Sequence, residues 1–148
     1  MRLITAAAVG GLCLTAPLAA QDDQREAVRR AALDYLEGFY EGDSTKLLRS
    51  VSPEVLKFGF SRANDGTWRR HPFPWQNFLD FARGVREGRN LPPADAPKEV
   101  TIYDLQERIA AARVDAWWGM DYLLLAREAG RWRITHVLWQ GPPAANRR

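Results

Sequence analysis

The chain has 148 residues, 21 basic against 18 acidic side chains, a formal net charge of +3 and a single cysteine. So small a positive excess argues against a nucleic-acid-binding surface, and one cysteine excludes a disulfide framework. The length suits one domain with a substantial core, because a chain of this size buries about two-thirds of its unfolded surface.

Residues 1–20 read as a secretory signal peptide. Met1-Arg2 supplies the positive start, Leu3 to Leu14 the apolar run, and Pro17-Leu18-Ala19-Ala20 the small residues before polar Gln21-Asp22-Asp23. Cleavage is expected after Ala20. The apolar run is shorter than the roughly 20 residues of a membrane span. Cys13 lies within it, but Leu12 puts a bulky side chain where a lipoprotein signal needs a small one. The expected product is residues 21–148, a single domain, secreted or periplasmic and free of the membrane. That product has no cysteine, which excludes thiol nucleophiles and thiolate metal sites.

Asp22 to Glu41 has helical spacing, with Val28, Ala32, Tyr35, Leu36 and Phe39 on one apolar stripe. Gly42 stops it, Asp43-Ser44 caps a second helix from Thr45 to Val51, and Pro53 ends that one. Val55 to Ser61 alternates as a half-buried strand, with Leu56, Phe58 and Phe60 as the core-facing set and Lys57 on the other face. Asn64-Asp65-Gly66 is a turn, and His71-Pro72-Phe73-Pro74 an extended link. A third helix runs from Trp75 to Glu87 through Phe78, Leu79, Ala82 and Val85. After the proline-rich Leu91 to Pro97, strands are expected at Glu99 to Gln106, Arg108 to Trp118, Met120 to Arg127 and Arg131 to Trp139. Ala129-Gly130 turns the last hairpin. In its second strand Trp132, Ile134, His136 and Leu138 share the core face by alternation, against Arg133, Thr135, Val137 and Trp139. Segregated helices and strands predict an α+β domain, three helices packed on one face of a curved antiparallel sheet.

That order resembles the nuclear transport factor 2-like superfamily, a cone-shaped α+β fold, and within it the putative lumazine-binding group. The resemblance rests on Val28 to Gly38 with Glu41-Gly42-Asp43, on Ser52-Pro53-Glu54, and on Asp121 to Leu125 with Gly130 to Ile134. These are scaffold motifs, and they carry fold rather than reaction. The resemblance implies a pocket at the wide mouth of the cone, serving an enzyme in some members and a passive binding module in others. It also implies frequent dimerisation through the sheet.

The polar side chains expected to face that pocket are His136, Tyr35 and Asp104, with Phe39, Phe58, Trp75 and Trp132 as apolar lining. His136 is the candidate acid/base, because an imidazole titrates near neutral pH; the alternative is a core histidine bonded to backbone. Tyr35 is equally an aromatic core residue with its hydroxyl at the edge, Asp104 equally a solvated strand end. Asp121 reads as structural, paired with Arg113 or Arg133. The carboxylate that the isomerase branch of the superfamily places on the first strand has no counterpart between Leu56 and Phe60. No nucleophile elbow, dinucleotide fingerprint or phosphate loop is present, and His71 and His136 do not form a metal-ligand pair, so neither metal nor cofactor is expected.

Six tryptophans are many for this length. Trp117 and Trp118, adjacent on a strand, should face opposite sides of the sheet; Trp117 or Trp139 with Val137 would form an exposed apolar surface for a second copy of the chain, unless Pro142-Pro143 covers it. Arg69-Arg70 and Arg83, Arg86 and Arg89 read as a solvated face. Three functions are consistent with these features: non-catalytic binding of a small, partly apolar ligand by a homodimer; a dehydratase- or cyclase-type enzyme using His136 with Tyr35 or Asp104; and an interaction module whose cone is filled by its own side chains.

Overall fold

The computed structural model describes residues 16–142, with side chains from Ala20 onward. Most of the expected signal peptide, including Cys13, lies outside the described residues, as does Pro143. The elements follow as α1 (Ala16–Tyr40), α2 (Ser44–Ser50), β1 (Val51–Arg62), β2 (Trp68–Pro72), α3 (Trp75–Arg86), β3 (Glu99–Leu105), β4 (Ile109–Ala116), β5 (Gly119–Glu128) and β6 (Arg131–Gln140). The fold is α+β, three helices and one open curved sheet of six strands in the order β2-β1-β6-β5-β4-β3. Among the described residues no helix is long and apolar enough to cross a membrane.

The stripe of α1 is buried as its spacing predicts: Val28, Ala32, Tyr35, Leu36 and Phe39 all lie in the core. The helix starts at Ala16 and runs through the expected cleavage point. The Asp43 side chain caps α2, accepting from the backbone N–H of Thr45 at 2.8 Å and of Lys46 at 3.4 Å. Val51, which the apolar pattern assigns to that helix, instead opens β1.

The sheet is mixed rather than wholly antiparallel. β1 and β6 run parallel, and every other neighbouring pair is antiparallel. The first two residues of the expected extended link, His71 and Pro72, end β2, which pairs with the free edge of β1, Gly59 opposite His71. Its proline is tolerated because it ends an edge strand.

Two irregularities set which side chains face the helices. Between Val51 and Leu56 the register of β1 against β6 shifts, over a stretch that contains Pro53, which cannot donate to a ladder. Beyond it Val55, Lys57 and Gly59 face inward, and Leu56, Phe58 and Phe60 take the outer face, the reverse of the expected phase. Leu56 is 63% exposed. In β6, Leu125 opposes Ile134 whereas Leu124 opposes His136, so Thr135 is an extra residue in a bulge. Trp132 and Ile134 point inward before the bulge, Val137 after it, while His136 and Leu138 are exposed.

The third departure is at the β4–β5 connection. The strand expected to reach Trp118 ends at Ala116, which pairs with Gly119, and Trp117-Trp118 form the two-residue turn between them. Gly119 has φ of 129°, and a side chain there would collide with the Gln140 carbonyl, so glycine is required to close the turn. The Tyr40 hydroxyl pins it from α1, accepting from the Trp117 backbone N–H at 3.1 Å and donating to the Pro97 carbonyl at 2.6 Å. Both indoles line one cavity and are not on opposite faces of a strand, and the Trp118 ring packs on Phe39 and Tyr40 at the end of α1.

Candidate functional site

Between the end of α1, the inner face of β1 and the Trp117-Trp118 turn lies a cavity of about 150 Å³. Phe39, Phe73, Phe81, Trp117, Trp118 and Trp139 form its apolar wall, and Lys57 is the one charged residue in the lining. Gly59 makes room for one wall: a β-carbon there would strike the Trp139 ring and carbonyl. The Trp139 ring stacks on His71 with centroids 6.0 Å apart, and its indole N–H is buried without a hydrogen-bond partner among the described residues.

The base of the cavity holds a polar cluster inside an aromatic shell. The Lys57 Nζ donates to the Tyr35 hydroxyl at 2.6 Å and lies 3.4 Å from Asp121 Oδ2. Tyr35 in turn donates to the same Asp121 oxygen, and the Trp118 indole N–H donates to Asp121 Oδ1 at 2.8 Å. Both charged side chains are out of water, Lys57 at 6% and Asp121 at 0% exposure. Burying two ions costs several kcal/mol each, which a single contact at 3.4 Å does not offset alone. The remainder comes from the surroundings. Nζ sits 4.8–5.8 Å from the ring centroids of Phe73, Tyr35, Phe39, Phe78 and Trp118, and a desolvated cation–π contact is worth up to about 2 kcal/mol.

Burial holds the Lys57 amine below its ordinary value, and Asp121 offsets part of that shift. For Tyr35, burial first and the neighbouring Asp121 charge second raise the phenol well above its usual range, so it keeps its proton and serves as a donor. An ammonium has three N–H donors. Two of those on Lys57 go to Tyr35 and Asp121; the third has no acceptor among the described residues, and the side chain lines the cavity.

The residues expected from sequence are only partly brought together. Tyr35 is fully buried in the polar cluster, and Phe39 lines the cavity. Trp75 is half-buried behind the lining, its ring 5.3 Å from Phe78. Trp132 is buried at another part of the core, donating to Gln24 at 3.0 Å. Phe58 is on the outer face under the Arg70 guanidinium, 4.3 Å from its centroid. Asp104 is exposed and accepts from its neighbours Leu105 and Gln106. His136 is exposed, 3.1 Å from the Thr135 hydroxyl, on the face opposite the cavity, because the bulge reverses the alternation that put it inside. The enzyme reading built on His136 loses its acid/base there. Arg113, a suggested partner of Asp121, pairs with Asp115 at 2.5 Å.

Lys57 and Asp121 are the two charged residues of the site that the sequence pattern does not place there. Asp121 shares strand parity with Leu123 and Leu125, both buried, and that parity alone marks it as inward. Lys57 shares parity with Val55 and Gly59, a weaker signal beside the apolar row Leu56, Phe58 and Phe60.

The profile of the family described as putative lumazine-binding matches residues 23–140. Among solved structures, an NTF2-like protein of unknown function from Shewanella baltica is 21% identical, over 83% of this chain and 97% of its own, with a TM-score of 0.61. One from Methylobacillus flagellatus is 17% identical over 90% and 100%, also at 0.61. A protein of unknown function from Mycobacterium tuberculosis is 10% identical over 90% and 80%, at 0.60. No curated protein matches the sequence.

The cluster makes a stability prediction. Asp121→Asn leaves the Lys57 ammonium buried without its counter-charge and should cost about 3–5 kcal/mol. Tyr35→Phe removes one hydrogen-bonded bridge and should cost about 1–3 kcal/mol. Urea unfolding measures both; Asp121→Asn at wild-type stability would show that the pair is not buried as described.

Proposed function

The chain belongs to the family described as putative lumazine-binding, within the NTF2-like fold, and from that premise we propose that it binds a small, flat, largely apolar molecule in the aromatic cavity, without turning it over. The observation that carries this reading is the composition of the wall: six aromatic side chains around one buried cation whose third N–H is unspent. The unpartnered Trp139 N–H supports it, since a buried donor without an acceptor costs roughly 1–3 kcal/mol that a ligand oxygen or nitrogen would recover. An apolar cavity of about 150 Å³ is known to admit a benzene-sized molecule. A flat ring system bearing an acceptor has the required character. The chain acts after export, a reading supported by Met1-Arg2 and the apolar run to Leu14.

Self-association through the outer face of the sheet is the companion reading. The bulges turn apolar side chains outward in adjoining rows: Phe58 beside Leu138 beside Tyr122, and Leu56 beside His136 beside Leu124. Leu56, Tyr122, Leu124 and Leu138 are each more than 40% exposed, and a contiguous apolar patch of this kind is characteristic of an interface. The surface differs from the expected one, since Trp139 lines the cavity and Val137 is buried.

Thermal unfolding with lumazine, benzoate and benzyl alcohol tests the ligand reading. At least one should raise the midpoint, as a ligand at 100 times its Kd adds about 2.7 kcal/mol, and should quench tryptophan fluorescence. No shift and no quench with any of them, or with wider panels of aromatic compounds, contradicts the reading. For the companion reading, sedimentation should give a two-chain mass that Leu124→Asp reduces to one; a monomer at high concentration contradicts it.

A further inference from the structure

We propose that Lys57 is a nucleophilic amine that captures a small aromatic aldehyde or ketone in the cavity as a reversible imine. The inference rests on the ligand reading above and names the ligand's reactive group. Three features of the geometry support it.

First, Lys57 is the single nucleophile in a lining that is otherwise aromatic. A carbonyl compound with a flat ring, held by those walls, has its carbon presented to one amine and to little water, which favours condensation over hydration. Second, the amine spends only two of its three positions on hydrogen bonds to the described residues. Its bonds to the Tyr35 oxygen at 2.6 Å and to Asp121 at 3.4 Å use two N–H groups. In the neutral amine the third position is the lone pair, and among the described residues no donor is hydrogen-bonded to it. Third, Asp121 is supported without the ammonium, because Tyr35 and the Trp118 indole both donate to it. The carboxylate therefore keeps two hydrogen bonds when the lysine gives up its proton. The depression of the Lys57 amine by burial acts in the same direction.

The step balances without any redox partner. The Nζ lone pair forms a bond to the carbonyl carbon, and the carbonyl oxygen takes up a proton as the attacking nitrogen loses one. The hydroxyl of the resulting carbinolamine then takes up a second proton, the C–O bond breaks and the oxygen leaves as water, and nitrogen's electron pair completes the C=N bond as nitrogen gives up its remaining proton. Tyr35 and Asp121, already linked to Nζ, provide the route by which the nitrogen proton is passed and returned. Addition of water reverses every step, so the protein would retain a carbonyl compound and release it unchanged.

Reaction of the purified full chain with benzaldehyde and cyanoborohydride near neutral pH, followed by peptide mass mapping, reads this out. The expected result is a single benzyl group on Lys57, formed at least tenfold faster than on Lys46 or Lys98 and suppressed by excess benzyl alcohol. Label on Lys46 and Lys98 in preference to Lys57 overturns the inference. So does the absence of a Lys57 adduct while benzaldehyde or benzyl alcohol still raises the unfolding midpoint, and in that case the ligand reading survives. If neither compound shifts the midpoint and no adduct forms, the inference and the ligand reading fall together.

Discussion

A lysine ammonium placed next to a carboxylate in the interior constrains much of the structure around it. Lys57 and Asp121 sit on strands separated by β6 in the sheet, so their contact spans β6. The Tyr35 hydroxyl closes the triangle from α1. Three segments far apart in sequence are thereby fixed to one point, and the direction in which β1 and β5 present their side chains follows from it. A one-residue slip of either strand would expel a charge to the outer face and bring in an apolar residue, leaving its partner buried and unpaired. That penalty is large enough to specify register strongly.

The same pair explains the aromatic crowding. A cation removed from water needs polarisable neighbours, and the rings of Phe39, Phe73, Phe78, Tyr35 and Trp118 supply them. Phe39, Phe73 and Trp118 of this shell also line the cavity, together with Lys57, Phe81, Trp117 and Trp139. The pocket therefore shares three of its walls with the cage around Lys57. Trp118 belongs to both parts, since its indole N–H holds Asp121 while its ring forms the wall. That dual role depends on the two-residue turn, on Gly119 behind it, and on Tyr40 clamping it to α1.

Much of the scaffold was legible in the chain. The stripe Val28 to Phe39, the Asp43 cap, the third helix and the final hairpin are all where periodicity and turn residues put them, because each depends on local spacing. What alternation could not carry was phase across an irregularity. In β6 it assigns Trp132 and Ile134 correctly and then fails at Thr135, where one extra residue reverses the faces and sends His136 outward. In β1 both faces are apolar enough to be core: Leu56, Phe58 and Phe60 form the more hydrophobic row, yet Val55, Lys57 and Gly59 are inside. The decision is made by a long-range pairing with Asp121 and by the need for a glycine under Trp139, neither of which is a property of the strand itself. Tyr35 and Phe39 could be named as site residues from the helix stripe alone, whereas Lys57 and Asp121 become a pair only once the sheet order is known.

The central claim is that Lys57 lies buried, beside Asp121, in a ring of aromatic side chains. Its most direct test is the NMR signal of the lysine ε-methylene groups, which the chain's small lysine complement of Lys46, Lys57 and Lys98 keeps simple. One signal should be displaced well upfield by the surrounding rings, should titrate below the ordinary lysine value of 10.5, and should disappear in Lys57→Met. Three signals at ordinary shifts, all titrating as free lysine does, would contradict it.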